Sequence, residues 1–283
     1  LERAIAGGLR ELGVESVSAG LLPTPGLAWL TKTGEYDLGV MISASHNPAA
    51  DNGVKIFSAS GEKLDDETEA LVEERLWAES EAAGSSIEVP LDESLREAYT
   101  SYLRERACPD LDLTGMRIVI DCANGAASSV GPSVLRRLGA TVTSLHCEPS
   151  GENINDGCGS THPESLQAHV RDAGAALGIA LDGDADRCLL VDERGELVDG
   201  DAIMTIIARD AAERGLWSDA RIVATVMSNR GLQRALEPCG VGVFEVGVGD
   251  RQVVEGLRNE GLCLGGEKSG HIIFGSENGF IGD

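Results

Sequence analysis

Residues 41–57 read MISASHNPAADNGVKIF and put a hydroxyl, an imidazole and an amine into one short stretch. An apolar run, Leu38 to Ile42, stops at small polar residues. Ser45 and His46 then stand side by side, and Lys55 follows ten residues on. A hydroxyl is a weak nucleophile unless a base removes its proton or charge around it is neutralised. Neighbours on an extended chain point apart, so Ser45–His46 makes a poor base pair for hydrolysis. The sequence also lacks a G-x-S-x-G elbow. A phosphoryl carrier fits better, because phosphoryl transfer is mainly positioning and charge neutralisation. His46 and Lys55 are the expected cations and proton relay. The alternative is a polar turn after a strand, with Asn52-Gly53 as hairpin chemistry.

The second cluster is DGDADR, residues 182–187, directly after the apolar run 177–181. Asp182, Asp184 and Asp186 repeat at period two and aim carboxylates into one small volume. Like charges that close need a cation. Mg²⁺ suits hard oxygen ligands beside a phosphate, and Arg187 offers a bidentate phosphate donor. An EF-hand would place Glu193 at its twelfth position. It fails because Arg187 occupies the glycine position and a strand precedes the loop. The bland alternative is a solvated acidic turn.

The third cluster is GGEKSGH, residues 265–271. Its glycines let backbone approach a ligand. Glu267, Ser269 and His271 suit sugar hydroxyls, and Glu267 an amine; alone, the stretch reads equally as a glycine-rich turn. DCANGA (121–126) reads as a strand entering a turn, and GVGDR (247–251) as a weak phosphate-loop candidate. His146, His162 and His169 show no ligand spacing.

These loops need a scaffold. Strands are expected at 37–43, 117–122, 141–147, 177–182, 188–192, 221–226, 243–248 and 270–274. Helices are expected at 65–83, 91–106, 132–138, 164–173, 200–214, 229–237 and 250–260, with an amphipathic one at the N-terminus. This alternation predicts α/β layers. Composition breaks at 108–116 and 214–222 divide the chain into units 1–110, 111–214 and 215–283. A length of 283 residues fits two or three domains. The net charge of −24 disfavours nucleic acid and anionic membranes as partners. It leaves room for a small anionic substrate, which answers to local charge. Lysine occurs only at positions 32, 55, 63 and 268, which draws attention to Lys55 and Lys268. Seven cysteines without a C-x-x-C pair read as reduced intracellular thiols. No apolar run approaches a membrane span, and both chain ends read as cut.

Together, SASHNPAADNGVK, DGDADR and GGEKSGH, in that order on an α/β background, resemble the α-D-phosphohexomutase superfamily. The wording of ISASHNP and DCANGA is nearest to its amino-sugar branch. The resemblance implies tandem three-layer α/β domains with mixed sheets, domains I to III of four, with domain IV absent. It implies that Ser45 carries the phosphoryl group, with His46 as loop partner, Lys55 as proton-transfer group and Arg187 as phosphate contact. Asp182, Asp184 and Asp186, completed by an oxygen of phosphorylated Ser45, would hold one Mg²⁺. Glu267, Ser269 and His271 would recognise the sugar. The implied reaction interconverts glucosamine 6-phosphate and glucosamine 1-phosphate in the cytoplasm, with glucose or glucosamine 1,6-bisphosphate as activator. Rival readings are a mannose or glucose phosphomutase, and a non-catalytic sugar-phosphate and divalent-ion binding fragment. Oligomerisation is left open. Lys268 departs from the glutamine, asparagine or methionine common in the sugar loop. The family's N-terminal arginine motif and its R-x-S-G-T-type phosphate loop are also missing.

Overall fold

The computed structural model describes residues 1–78, 85–275 and 281–282. Residues 79–83 of the helix expected over 65–83 lie outside them, as do residues 276–280 and 283. The first part of the chain runs α1 (Glu2–Glu11), α2 (Thr24–Thr33), β1 (Leu38–Ser43), β2 (Gly53–Ser58), α3 (Asp66–Ala78) and α4 (Glu93–Tyr102), then a π turn at Leu103–Ala107. β1 and β2 pair antiparallel, with Met41 opposite Lys55 and Ser43 opposite Gly53. Trp29 of α2 stacks on Tyr102 of α4 with ring centroids 4.5 Å apart. Such an aromatic pair adds about 0.5–1.5 kcal/mol beyond area burial. Tyr99, Leu22 and Leu30 complete this cluster together with Val130 of the next helix.

The second part runs β3 (Arg117–Asp121), α5 (Val130–Arg137), β4 (Thr141–Leu145), α6 (Glu164–Ala173), β5 (Leu177–Leu181), β6 (Cys188–Val191) and β7 (Leu197–Val198). Its sheet has the order β4-β3-β5-β6-β7, parallel across the first three strands and antiparallel across the last two. The third part runs α7 (Gly200–Glu213), β8 (Arg221–Thr225), α8 (Arg230–Leu236), β9 (Gly242–Val246), α9 (Asp250–Glu260), β10 (Leu264–Gly266), β11 (Ile272–Gly275) and β12 (Ile281–Gly282). Its order, β9-β8-β10-β11-β12, repeats the same parallel-then-antiparallel pattern. Apolar runs such as Ile118–Ile120 and Ile222–Ala224 are buried, as strands covered on both faces require.

The expected mixed-sheet α/β architecture is therefore present, and the repeated topology explains where the chemistry sits. Each sequence cluster occupies the connection between two antiparallel neighbours: β1–β2, β5–β6 and β10–β11. Those are the points where the chain reverses beside the sheet.

Some elements differ from expectation. Lys55 lies on β2, not in the loop, so strand pairing fixes its position. Helix α2 was hidden by Pro23-Thr24-Pro25-Gly26, because proline and glycine punctuate turns; yet proline fits a first helical turn, whose N–H groups are unpaired anyway. β10 is short and ends in Gly265-Gly266, where a Cβ at 265 would meet Val253 at 2.7 Å. Helix α7, which a boundary at 214 assigns to the second unit, buries Ile203, Met204 and Ala208 with Ile222, Ala224 and Leu264 of the third sheet. The break at 214–222 is an αβ loop on the surface. No helix among the described residues is long and apolar enough to cross a membrane.

Candidate active site

The β1–β2 loop and the β5–β6 loop meet through backbone. Ser45 adopts a left-handed φ of 52° at the start of its turn. Gly183 lies so close beneath it that a Cβ there would collide with the Ser45 carbonyl. The Ser45 N–H donates to the Ser43 hydroxyl at 2.8 Å. The left-handed turn changes only the premise of the Ser-His expectation, not its outcome. The chain is not extended here, and Ser45 Oγ comes to 3.4 Å from His46 Nδ1. That contact is long for a proton-abstracting pair.

Asp182, Asp184 and Asp186 are buried, and one carboxylate oxygen of each lies within 4.8 Å of the other two. Lys55 Nζ donates to Asp184 Oδ2 at 2.6 Å and to Asp186 Oδ2 at 2.8 Å. Thr24 donates to the same Asp184 oxygen at 2.6 Å through Oγ1, and its N–H donates to the Asp184 carbonyl at 2.9 Å. Asp184 thus faces the first turn of α2, where unpaired N–H groups favour negative charge. The Arg187 N–H donates to Asp182 Oδ1 at 3.1 Å. His271 Nε2 stands 3.7 Å from Asp186 Oδ1.

Electrostatics divide the three carboxyls. Burial pushes Asp182 well above the ordinary carboxylate range, and the charges of Asp186 and Asp184 add to this. Burial would raise Asp184 as well, but Lys55, Thr24 and the Ser45 hydroxyl outweigh it and hold Asp184 low. For Lys55, burial favours the neutral amine, yet Asp186 and Asp184 overcome that and keep its pKa raised. His46 moves the other way. Desolvation and the Arg187 charge hold it below its usual value despite Asp186 and Asp184. These surroundings disfavour the cationic form of His46 beside the hydroxyl. Lys55 and Arg187 carry the positive charge.

Metal fit follows from the unpaired atoms. Asp182 Oδ2, Asp184 Oδ1 and Asp186 Oδ1 are buried without a hydrogen-bond partner. Buried carboxylate oxygens left unpaired are costly, and a hard divalent cation satisfies all three together.

The β10–β11 turn brings the third cluster to the same region. Glu267 is buried, and its Oε1 accepts from the Gly249 N–H at 3.0 Å. The turn docks on the second sheet, with the Cys188 N–H donating to the Gly270 carbonyl at 2.9 Å. Ser269 is exposed and His271 buried. Lys268, singled out by its rarity, is held by Asp199 Oδ2 at 2.5 Å, half exposed and apart from the carboxylate trio.

Three contributors carried no signal in sequence. Thr24 and Gly183 act by close contact. Asn155 donates from Nδ2 to the carbonyls of Ser45 and Asn47. GVGDR gains a structural role: Lys63 pairs with Asp250, Arg251 with Asp66 and Glu69, and Arg258 with Glu62. These pairs tie the β2–α3 connection and α3 to α9.

Models of the phosphoglucomutase/phosphomannomutase family match in series: alpha/beta/alpha domain I over residues 1–83, domain II over 97–195 and domain III over 199–283. The chain belongs to the phosphoglucomutase/phosphomannomutase family. Among curated members, it is 50% identical over 277 residues to a phosphoglucosamine mutase of Rhodococcus jostii, covering 97% of this chain and 62% of that one. It is 49% identical over 282 residues to a phosphoglucosamine mutase of Moorella thermoacetica, covering 98% of this chain and 63% of that one. A phosphoglucomutase/phosphomannomutase family protein from Burkholderia thailandensis, known by crystal structure, superposes with a TM-score of 0.79 at 27% identity, over 98% of this chain and 61% of that one. The chain thus spans about three fifths of the length of the family members it matches.

Proposed function

We propose that this chain carries the phosphoryl-transfer loops of a phosphoglucosamine mutase, which interconverts glucosamine 6-phosphate and glucosamine 1-phosphate. The observation that carries the reading is the Lys55 bridge. One amine from the serine hairpin spans two carboxylates of the aspartate loop, beside the turn that presents Ser45. That assembly suits a phosphorylated serine: its anionic group would sit among Lys55, Arg187 and a cation. About 50% identity to phosphoglucosamine mutases supports the amino-sugar choice.

In this reading Ser45 begins as its phosphate ester. The free hydroxyl of a glucosamine monophosphate attacks phosphorus, the P–Oγ bond breaks, and Ser45 Oγ keeps the bonding electrons. Lys55, which starts charged, gives a proton to Oγ and takes the one that the attacking hydroxyl loses. The resulting bisphosphate then gives its other phosphoryl group back to Ser45, leaving the isomeric monophosphate. Asp182, Asp184 and Asp186 would hold Mg²⁺, which supplies charge neutralisation for the moving group. Lys55 can exchange its proton only when its carboxylate partners are engaged elsewhere, because their charge now holds it. Arg187 clamps phosphate oxygens and His46 orients the serine oxygen. Glu267, through the oxygen not bound to Gly249, takes the sugar amine; Ser269 and His271 take hydroxyls. The three loops belong to successive units, drawn at 1–110, 111–214 and 215–283; the packing of α7 on the third sheet supports grouping that helix with the third. The setting is aqueous and cytoplasmic, with a bisphosphorylated hexose as activator.

The test is the mass of the purified chain before and after glucose 1,6-bisphosphate and Mg²⁺, with the phosphosite mapped. One phosphoryl group on Ser45, absent in Ser45→Ala, is expected. Phosphate at another residue would overturn the role of Ser45. A panel of glucosamine, glucose and mannose 1-phosphates, scored by discharge of the phosphorylated protein, tests the sugar.

A further inference from the structure

A second group of ligand-type side chains lies outside the phosphoryl site. β3 ends at Asp121, His146 follows β4, and Cys158 precedes the 3-10 turn Gly159–Thr161. A carboxylate oxygen, an imidazole nitrogen and a thiol sulfur from these residues all lie within 4.8 Å of one another. Sequence spacing hid the group, since the residues are far apart along the chain. Topology assembles it. β3 and β4 are parallel neighbours with Asp121 opposite Leu145, so His146 emerges beside the end of β3. A left-handed φ of 48° at His146 accompanies a ring whose Nδ1 lies 2.9 Å from Asp121 Oδ2. The other Asp121 oxygen accepts from the Ala123 N–H at 2.9 Å. Asp121 and Cys158 are fully buried, and His146 is partly open to solvent.

Two chemistries use such a set. A cysteine nucleophile with a His-Asp relay needs an accessible thiol that ionises readily. Cys158 is enclosed, and burial, with the Asp121 and Asp156 charges, pushes its thiol up to about 12. A cation reverses this balance, because a coordinating thiol is deprotonated outright. A mixed sulfur, nitrogen and oxygen set suits zinc-class ions rather than Mg²⁺. Tetrahedral bonds of about 2.3 Å to sulfur and 2.0 Å to nitrogen put neighbouring ligands roughly 3.5 Å apart. Binding would draw the three ligand atoms, now within 4.8 Å of one another, to that spacing by side-chain rotation.

We propose that Asp121, His146 and Cys158 form a site for a zinc-class divalent cation that staples both ends of the loop 146–158. That loop carries Asn155, whose amide holds the Ser45 and Asn47 carbonyls. A cation here therefore braces the serine loop from behind. Water reaching the open side of His146 fills the fourth position. Cation binding stands apart from the mutase reading; only the effect on phosphorylation of Ser45 rests on it.

The experiment titrates the reduced, metal-free chain with Co²⁺ in excess Mg²⁺, which occupies the all-oxygen site. One equivalent of Co²⁺ is expected to produce thiolate-to-cobalt charge-transfer absorption. The band should vanish in Cys158→Ser and in His146→Ala. The histidine variant alters a partly exposed side chain, and its fold is checked by circular dichroism. The band should persist in Asp182→Asn and in Cys147→Ser, whose thiol contacts Cys122 next door. Zn²⁺ should also slow amide exchange across 146–158. Absence of the band at saturating Co²⁺, its survival in Cys158→Ser, or its dependence on Cys147 would overturn the site. Unchanged exchange with Zn²⁺ bound would overturn the staple.

Discussion

Asn155 donates from one nitrogen to the Ser45 carbonyl at 2.7 Å and to the Asn47 carbonyl at 2.8 Å. The two hydrogen bonds connect a loop of the second sheet to the turn that presents the proposed phosphoryl carrier. Asn155→Ala removes both donors, at about 1 kcal/mol each for ordinary bonds. The Ser45 loop should lose order while both sheets stay intact. Phosphorylation of Ser45 by glucose 1,6-bisphosphate is expected to slow roughly 10-fold or more, a barrier change of about 1.4 kcal/mol. Single-turnover phosphorylation and amide exchange over residues 44–52 check this. A normal rate with normal protection would remove Asn155 from the site.

Gly183 makes the matching contact from the aspartate loop. A Cβ there would strike the Ser45 carbonyl, and Ile154 carbons stand at 2.6 and 2.7 Å. Backbone cannot yield as a flexible side-chain tip can. Gly183→Ala should cost about 1–3 kcal/mol by overpacking and displace the two loops from each other. Urea denaturation measures the stability loss. Mg²⁺ affinity should fall in the same variant, because the loop bearing all three carboxylates is shifted.

The clusters that sequence revealed are those whose members are close along the chain. Asp182–Arg187 and Glu267–His271 each fit inside one turn between antiparallel strands, and Ser45–Lys55 spans a turn and the start of the returning strand, so spacing alone exposed them. Thr24 and Asn155 could not be found that way. Thr24 matters because α2 begins against Asp184, and Asn155 because its loop crosses to Ser45; both are tertiary facts. Composition misled at Gly53–Ser58, where glycine, lysine and serine disguised a strand, and at Pro23–Gly26, where turn residues open a helix. His46 shows a further limit. Its type suggested a cation, while desolvation and Arg187, which no spacing reveals, lower its pKa.

The raised Asp182 carboxyl makes divalent-cation binding depend on pH. A cation must displace the proton that Asp182 retains, so affinity should fall as pH drops through its raised pKa. An unperturbed carboxylate would hold its affinity down to roughly pH 4. Titration calorimetry with Mg²⁺ from pH 8 to pH 5 should show weakening well above that limit. The cation-free chain responds in two ways. The raised Asp182 costs stability above its pKa, and the penalty lifts as pH falls. Asp184 is held low, so its contribution is present above its unfolded value and disappears only as pH falls through its folded pKa. Affinity constant down to pH 5 would contradict the assigned state of Asp182.

Lys55 provides the sharpest separation of structure from catalysis. Its amine bridges Asp184 and Asp186, whose side chains are almost fully buried, while its own is about a quarter exposed. Lys55→Met fills similar volume but leaves buried carboxylates without their cation. Breaking a fully buried pair costs about 3–5 kcal/mol. Partial exposure lowers the expectation to roughly 2–3 kcal/mol. Mg²⁺ should recover much of that loss, because it answers the same carboxylate charge, so the variant's stability should depend more steeply on Mg²⁺ than the parent's. Phosphoryl transfer should not recover, because methionine exchanges no proton. Denaturation midpoints with and without Mg²⁺, beside single-turnover transfer from phosphorylated Ser45, separate the two effects. Restored stability with near-normal transfer would leave Lys55 a structural counter-ion and return the proton-transfer role to another group.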